Sequence, residues 1–385
     1  MGVAPVLIML VAVGDALSYN NSTMCATSSH NPPATAPRVL FLGMRGEFSR
    51  LPLAALLAAG VDVRAVLVPG EDDGAALASR GVEAATGVRR TPLQQLVYQP
   101  PPRSTLPLLT RAAEPSIVSL AWERGIPVLE LRDERDPAVA PALAAYHPDA
   151  LCVACWPRRL PPALLALARL GCLNLHPSLL PAHRGPVPLF WALRHGDPHA
   201  GVTVHLMDAA LDSGDILAQT EIPLEDGLTG AEIERRCASE GGRLLAESVI
   251  ALARGTAHPT PQPPPPRGEG GPEWTLQRGE GPGQSASPPR AGEGPGERSS
   301  GSYEGWPGPD DLTVTPDRPA RWAFNFLRGA AHWAGPLVIA VAGKRFVVRT
   351  ALDYADVGSV PDGWRLASDE LWLECAPGVL HVAVE

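Results

Sequence analysis

The chain has 385 residues, of which 45% are hydrophobic and 19% charged, and its formal net charge is −9. This length suits two domains with a sizeable buried core, and the apolar content excludes a wholly disordered chain. The acidic balance gives no support to a protein that binds nucleic acid through its overall electrostatic field, although it is compatible with a local basic patch. Six cysteines are sparse for this length, which favours a reducing cytoplasm.

Residues 1–36 form a tail ahead of the first strand pattern. The apolar run at 3–13 is much shorter than the roughly 20 residues that a membrane-spanning helix needs. A secretory signal would carry basic residues before its apolar core, and the first Lys or Arg of this chain is Arg38. The sequence therefore predicts a disordered or signal-like tail, a cytoplasmic protein and no membrane association.

Residues 37–258 alternate between strand-like and helix-like patterns, beginning with a strand over 38–43, a helix to about 59 and a strand over 61–68. From 69 to 116 the periodicity fades, and we interpret this stretch as a long loop. The pattern then predicts helices over 117–124, 138–146, 163–170, 189–194 and 230–254, and strands over 127–131, 149–155, 202–207 and 216–222. This alternation predicts an α/β fold with a Rossmann-like parallel sheet covered by helices.

Two cysteines with the spacing Cys152-x-x-Cys155 raise the question of a metal or redox site. Both lie in an apolar run that is typical of a buried strand, and the sequence has no second cysteine pair with metal-ligand spacing. We therefore interpret both as core thiols and predict no metal.

Residues 259–309 differ in composition from their surroundings, with four consecutive prolines at 263–266 and Arg-Gly-Glu-Gly at both 267 and 278. We interpret them as a low-complexity linker with too few apolar groups to order itself. Residues 310–385 then predict a small β-rich, OB-like domain, with a helix over 318–328 and strands over 337–342, 345–350, 371–375 and 379–384. Seven basic residues face eight acidic ones after residue 311, which gives only weak support to RNA binding.

The stretch 171–216 carries the candidate chemistry. An apolar strand ends on Asn174-x-His176 and runs into a proline-bounded loop, and Asp212 follows on a separate glycine-containing loop. Strand ends are the usual place for a site in an α/β sheet. An amide, an imidazole and a carboxylate can polarise a carbonyl, transfer a proton and orient the imidazole, which suffices for acyl transfer to an amine. We therefore predict that these three residues are catalytic.

Four motifs follow one another here: Asn-Leu-His-Pro-Ser-Leu-Leu-Pro at 174–181, Arg-Gly-Pro at 184–186, Gly-Val-Thr-Val-His at 201–205 and Leu-Asp-Ser-Gly-Asp-Ile at 211–216. In this order and spacing they resemble the formyltransferase family that uses 10-formyltetrahydrofolate, over about 37–258. The resemblance implies that Asn174, His176 and Asp212 are catalytic and that 10-formyltetrahydrofolate is the donor co-substrate.

Ser178, Leu179, Leu180 and Pro181 match the loop that contacts tetrahydrofolate in this family. Apolar side chains with exposed backbone groups suit a pterin, although a wall of the core would use the same leucines. Arg184 is a candidate for steadying a phosphate or carboxylate of the substrate, with a surface loop residue as the alternative. Four further histidines are interpreted as structural or solvent-facing: His183, His195, His199 and His205.

The sequence determines the formyl acceptor less well than the donor. The motifs at 184–185 and 212–216 resemble the methionyl-tRNA and amino-sugar branches of the family more than its glycinamide ribonucleotide branch. The C-terminal region and the linker edges at 261–262 and 302–303 are similar to the methionyl-tRNA branch, as if one continuous linker were split by a passive insertion. This resemblance implies methionyl-tRNA as the partner, with a nucleotide-linked amino sugar as the alternative; the oligomeric state stays open.

Overall fold

The computed structural model describes residues 36–70, 91–97, 115–262 and 303–385, and every structural statement below concerns these residues. By the contacts between its Cα atoms, the chain divides into two compact units. The first comprises Met1–His176, Val204–Ala209 and Ala238–Pro259. The second comprises Pro177–Thr203, Ala210–Cys237 and Thr260–Glu385.

The domain boundaries expected from the sequence, at 37–258, 259–309 and 310–385, stay a prediction. The expected N-terminal tail lies outside the described residues except for residue 36, as does the stretch of the expected linker over 263–302.

The first sheet has eight strands among the described residues. They are β1 Arg38–Gly43, β2 Asp62–Pro69, β3 Leu93–Leu96, β4 Val128–Leu131, β5 Ala150–Ala154, β6 Cys172–His176, β7 His199–Leu206 and β8 Ile216–Pro223. Their order is β3-β4-β2-β1-β5-β6-β7-β8. The five strands β4-β2-β1-β5-β6 pair in parallel, which confirms the predicted α/β class.

Six helices accompany these strands: α1 Glu47–Ala58, α2 Ile117–Glu123, α3 Val139–Ala144, α4 Pro162–Leu165, α5 Pro188–His195 and α6 Gly230–Arg254. The start of α6 has a capping box, because Thr229 N–H donates to Glu232 Oε2 at 2.8 Å and Glu232 N–H donates to Thr229 Oγ1 at 3.3 Å. The helix predicted over 163–170 is wrong beyond Leu165. There Leu170 N–H donates to the Asp149 carbonyl at 2.9 Å instead of continuing a helix.

The strands of the first unit are apolar throughout because their side chains form its buried core. Leu40, Leu42, Leu67, Leu129 and Leu151 are each 1% exposed or less and belong to one buried cluster. Since a parallel sheet is covered on both faces, its strands have no polar side to present to water. The sequence order reverses between β1 and β5, so the carboxyl ends of these strands form the edge where α/β sheets bind ligands.

The two cysteines of the Cys-x-x-Cys motif have different environments. Cys152 is fully buried within β5, where burial raises the pKa of its thiol well above its usual value. Cys155 lies just after the end of β5, is exposed, and has a backbone φ of 61°. The core prediction is therefore confirmed for Cys152 and wrong for Cys155, because the strand ends one residue before it.

Strand β3 lies within the region that we interpreted as a long loop. It pairs antiparallel with β4, with Leu93 opposite Leu131 and Leu96 opposite Val128. Four residues are too few to give a clear alternating pattern, which is why periodicity did not reveal this edge strand.

The second sheet lies in the second unit. Its strands are β9 Thr313–Val314, β10 Val338–Val341, β11 Lys344–Ala355, β12 Trp364–Ala367, β13 Glu370–Glu374 and β14 Val379–Val384, in the order β12-β13-β14-β11-β10-β9. All pairs are antiparallel except β9 with β10. Helix α7, Ala320–Ala334, contacts this sheet and is longer than predicted. The small β-rich C-terminal sheet is thereby confirmed.

Within the part of the chain that the structure describes, none of the helices combines the length and the apolar character needed to cross a bilayer.

Candidate active site

Asn174 and His176 lie two residues apart on β6, so their side chains project from the same face of the sheet. His176 is 4% exposed and is the last residue of the strand. Parallel pairing with β5, in which Val153 lies opposite Asn174, holds this strand end in register. The sequence prediction of an amide and an imidazole at one strand end is confirmed.

His205, on β7, contacts both of these residues. Its Nδ1 lies 2.9 Å from the carbonyl oxygen of Leu206, so Nδ1 carries the hydrogen and Nε2 is the acceptor. Asn174 Nδ2 lies 3.1 Å from that Nε2 and donates to it. The rings of His176 and His205 meet edge to face with centroids 6.4 Å apart. His205 is 1% exposed, so of the structural or solvent-facing positions expected for it the solvent-facing one is wrong, and its contact orients the candidate amide.

Hydrogen bonds to β7 and β8 hold the loop 178–181, which is expected to contact folate. Leu180 N–H donates to Thr203 Oγ1 at 3.1 Å, and Thr203 Oγ1 donates to the Ser178 carbonyl at 2.7 Å. Gln219 Nε2 donates to the Leu180 carbonyl at 2.7 Å. The backbone groups of Leu180 are thus engaged inside the protein, contrary to the expectation of exposed backbone. The Ser178 hydroxyl is engaged as well, donating to the Ala182 carbonyl at 2.7 Å.

Leu179 and Pro181 are the half-buried members of this loop, whereas Ser178 and Leu180 are buried. Leu179 lines an open depression of about 200 Å³, together with Pro177, Ser178, Ala182, His183, Ala192, Asp197, Pro198, His199, Ala200 and Gly201. Gly201 allows Leu179 to pack here, since a Cβ on it would lie 2.3 Å from Leu179 Cγ. The loop therefore offers mainly apolar side-chain surface to a ligand.

Asp212 lies on the loop between β7 and β8, with a backbone φ of 52° and 8% exposure. Its Oδ2 accepts a hydrogen bond of 3.0 Å from the backbone N–H of Gly185. Gly185 has a φ of 128°, and a Cβ there would lie 2.0 Å from the carbonyl oxygen of Glu304. Only glycine fits this position, and its backbone N–H fixes one carboxylate oxygen of Asp212. The association of Asp212 with His176 stays a prediction.

Arg184 is 1% exposed and lies between the two edges of the expected linker. Its Nη2 donates to Gln262 Oε1 at 3.1 Å, and its backbone pairs with Tyr303. Gln262 Nε2 in turn donates to the Gly214 carbonyl at 2.5 Å. This burial is the opposite of a surface loop residue and favours a structural role, while the role in substrate binding stays a prediction.

A cluster of charged side chains that sequence reasoning missed joins His183, His195, Asp197 and Glu304. His183 Nδ1 lies 2.7 Å from Glu304 Oε2, and His183 Nε2 lies 2.6 Å from Asp197 Oδ2. His195 Nε2 lies 2.6 Å from Glu304 Oε1. Since 121 residues separate His183 from Glu304, no local pattern could have revealed the contact.

Both central groups of this cluster have shifted pKa values. Burial alone would lower the pKa of His183, but its hydrogen bonds to Asp197 and Glu304 outweigh burial and raise the pKa to about 9. Burial alone would raise the pKa of Glu304, but hydrogen bonds from His183 and His195 lower it to about 2. His183 and His195 therefore do not face the solvent, and they belong to a charge network that the sequence did not indicate.

A parallel sheet with an amide and an imidazole at the end of one strand defines an α/β domain suited to group transfer at a carbonyl. A family profile described as formyl transferase matches residues 38–249, which is more than half of the chain. The chain belongs to the formyl transferase family.

Among curated relatives, the methionyl-tRNA formyltransferase of Synechococcus sp. (strain JA-3-3Ab) is 44% identical over 144 residues, which is 37% of this chain and 45% of the relative. That of Myxococcus xanthus (strain DK1622) is 40% identical over 149 residues, which is 39% of this chain and 48% of the relative. These alignments span about half the length of the relatives.

Solved structures extend the likeness of the fold over most of the chain. WlaRD, a sugar 3N-formyl transferase crystallised with dTDP and 5-N-formyl-THF, has a TM-score of 0.53 and 12% identity, covering 90% of this chain and 97% of that one. HypX from Aquifex aeolicus, in complex with tetrahydrofolic acid, has a TM-score of 0.51 and 16% identity, covering 90% of this chain and 43% of that one. At these identities the likeness shows the fold alone.

Proposed function

We propose that this protein transfers a formyl group from 10-formyltetrahydrofolate to the amino group of methionyl-tRNA. The observation that carries the proposal is the pair Asn174 and His176 on one face of β6, inside the region that the family profile matches. The acceptor rests on the relatives named methionyl-tRNA formyltransferase, which are 40–44% identical over the aligned parts.

The residue types define the steps of the reaction. The acceptor nitrogen attacks the formyl carbon, a C–N bond forms, and the carbonyl oxygen becomes an oxyanion. Asn174 donates an amide hydrogen to that oxygen, and a ring N–H of His176 stabilises the same charge. The C–N10 bond of the donor then breaks, and the proton from the acceptor nitrogen passes through Asp212 or water to N10. His205 holds the Asn174 amide in place through the 3.1 Å hydrogen bond.

The donor would lie against the loop 178–181, where Leu179 and Pro181 offer half-buried apolar surface. Since the Leu180 backbone is engaged with Thr203 and Gln219, recognition of the pterin there would come from side-chain contact and from neighbouring groups. Rigid support of this kind keeps a binding loop in a single conformation, which lowers the entropic cost of binding.

We assign the reaction to residues 37–258 and acceptor binding to the C-terminal β-rich region 310–385, joined by the linker 259–309. A cytoplasmic location follows from this role in translation. The cysteines within the described residues support it, since Cys152, Cys172, Cys237 and Cys375 are buried and form no disulfide there.

The test is an assay with 10-formyltetrahydrofolate and one of two acceptors, methionyl-tRNA or a nucleotide-linked amino sugar. We expect formylmethionyl-tRNA to form, with stoichiometric release of tetrahydrofolate. Formylation of the sugar alone would replace the tRNA proposal by the amino-sugar alternative. Absence of transfer to either acceptor, with the protein folded by circular dichroism, would reject both.

A further inference from the structure

The cluster of His183, His195, Asp197 and Glu304 differs from an ordinary surface ion pair. Two imidazoles approach the same carboxylate, one at each oxygen, with nitrogen–oxygen distances of 2.7 and 2.6 Å. The ligand-type atoms of His183, His195 and Glu304 all lie within 4.8 Å of one another. Their side chains are only 7%, 18% and 13% exposed, so the cluster is largely shielded from water.

We propose that His183, His195 and Glu304 bind one divalent transition-metal ion of the Zn²⁺ type. Two imidazoles and one carboxylate are a recurring ligand set for Zn²⁺, with water at the fourth tetrahedral position. Zn–N and Zn–O bonds of about 2.0 to 2.2 Å place such ligand atoms roughly 3.3 Å apart. The two nitrogen–oxygen distances of 2.7 and 2.6 Å would each lengthen by about 0.6 Å, as the ion replaces the protons on His183 Nδ1 and His195 Nε2.

The residues around this site match what metal-binding histidines need. With Nδ1 of His183 on the ion, its Nε2–H donates to Asp197 Oδ2 at 2.6 Å, a carboxylate–histidine–metal arrangement that fixes the tautomer. The indole of Trp191 stacks on His195 with centroids 5.8 Å apart and donates to the Gly305 carbonyl at 2.9 Å. His183 and Asp197 also line the open depression next to loop 178–181, which gives an ion a path into the site.

Other histidine–carboxylate contacts in the described part of the chain lack this convergence. His332 contacts Glu234 at 2.8 Å and His381 contacts Glu370 at 3.0 Å, in each case as one imidazole on one carboxylate. One imidazole and one carboxylate at a surface provide too few ligands to hold Zn²⁺. His332 therefore supplies a matched control.

A bound ion would connect Glu304, just after the linker edge at 302–303, to the loop that carries Arg184 and Gly185. Glu304 N–H donates to the Arg184 carbonyl at 2.8 Å, and the Glu304 carbonyl occupies the space beside Gly185. Because Gly185 N–H binds Asp212, the ion would stabilise the support of that carboxylate without contacting it. Binding and stability are therefore the measurements that test the site.

The experiment uses the full chain without a histidine tag, stripped with a chelator and dialysed. Calorimetric titration with Zn²⁺ should show one equivalent bound with micromolar or tighter affinity, and saturating Zn²⁺ should raise the thermal midpoint. Co²⁺ should give the intense visible bands of a four-coordinate ion, which needs no variant. Failure of the wild-type chain to bind Zn²⁺, or a Co²⁺ spectrum of a fully hydrated ion, overturns the proposal.

Variants locate the ion. Glu304→Gln and His195→Gln should each weaken Zn²⁺ binding by a hundredfold or more, and Asp197→Asn by about tenfold to a hundredfold. His332→Gln and Cys155→Ala should bind as the wild type does. Equal binding by Glu304→Gln and the wild type, or loss of binding with Cys155→Ala, places the ion elsewhere and also overturns the proposal. The Co²⁺ spectrum decides if Glu304→Gln does not fold.

Discussion

The amide nitrogen of Asn174 lies 3.1 Å from Nε2 of His205, and this contact leaves the amide one orientation. The His205 ring is fixed in turn by its own hydrogen bond to the Leu206 carbonyl at 2.9 Å. A side chain outside the three predicted catalytic residues thus sets the direction in which Asn174 presents its remaining amide hydrogen. In the proposed reaction His205 would be a positioning residue, whose value is that of one oriented hydrogen-bond donor.

Replacing His205 by Leu should lower kcat about tenfold with little change in KM, because the amide keeps its place but loses its orientation. Replacing it by Gln, which supplies a carbonyl acceptor, should restore part of that loss. Steady-state kinetics of both variants, with thermal midpoints measured alongside, make the test. Equal kcat values for Leu and Gln would show that His205 acts through packing alone.

Asp212→Asn and His176→Ala should each lower turnover on the order of a hundredfold or more, since each removes a group that stabilises charge or accepts a proton. Both residues are buried, so folding is checked by circular dichroism and tetrahydrofolate binding by fluorescence. Activity near the wild-type level in either variant would remove that residue from the mechanism.

Gly185→Ala should destabilise the protein by roughly 3 kcal/mol or more and lower activity, because the new Cβ would meet backbone at a φ that favours glycine. The clash is with the Glu304 carbonyl, and the backbone N–H of Gly185 is the donor to Asp212. Gly255→Ala is the control, since Gly255 has a φ of 71° with nothing within 4 Å of a Cβ. Its expected cost is about 1 kcal/mol. Urea unfolding measures both, and equal costs would contradict the clash.

Deleting residues 263–299 should leave turnover and thermal midpoint largely unchanged. The reason is that Gln262 and Tyr303, on the two sides of the deletion, both contact Arg184 within the second unit. A matched deletion that also removes Gln262 should lower the midpoint, because the Arg184 side chain then loses its 3.1 Å acceptor. Collapse of activity in the shorter deletion would show that the inserted sequence has a function of its own.

We expect Asp149 to account for part of the loss of stability of the first unit at low pH. Hydrogen bonds from the Arg38 side chain, with further ones from the Arg38 backbone and Arg169, outweigh burial and lower the pKa of Asp149 to about 2. A lowered pKa means that this stabilisation is complete above the ordinary value of 3.8 and is lost as the pH falls toward 2. Because both arginines are partly exposed, its size is about 1 to 2 kcal/mol.

The check is a comparison of the wild type with Asp149→Asn by urea unfolding between pH 2 and pH 6. The difference in unfolding free energy should be largest above pH 4 and should vanish near pH 2. Glu247→Gln, which disrupts an exposed pair with Arg243, should show little difference at any pH. A constant difference across the range would mean that Asp149 contributes by packing rather than by charge.

Local sequence signals predicted the strand that ends on Asn174-x-His176, because this pattern depends on neighbouring residues. The lengths of the helices and the contacts between distant residues were predicted less well. Helix α4 stops at Leu165 since Leu170 N–H bonds the Asp149 carbonyl, a contact between distant parts of the chain. The contact between Glu304 and His183 could not be predicted, because the two residues are 121 positions apart in the sequence.

The position of Arg184 bears on how readily the segment between Gln262 and Tyr303 could accept inserted sequence. Gln262 and Tyr303 both contact the buried Arg184, so the two ends between which further sequence could be inserted lie close together. Loop-closure entropy grows only slowly with length, so further lengthening would cost little stability. The same site would accept a fluorescent protein or a biosensor domain whose own termini lie close together.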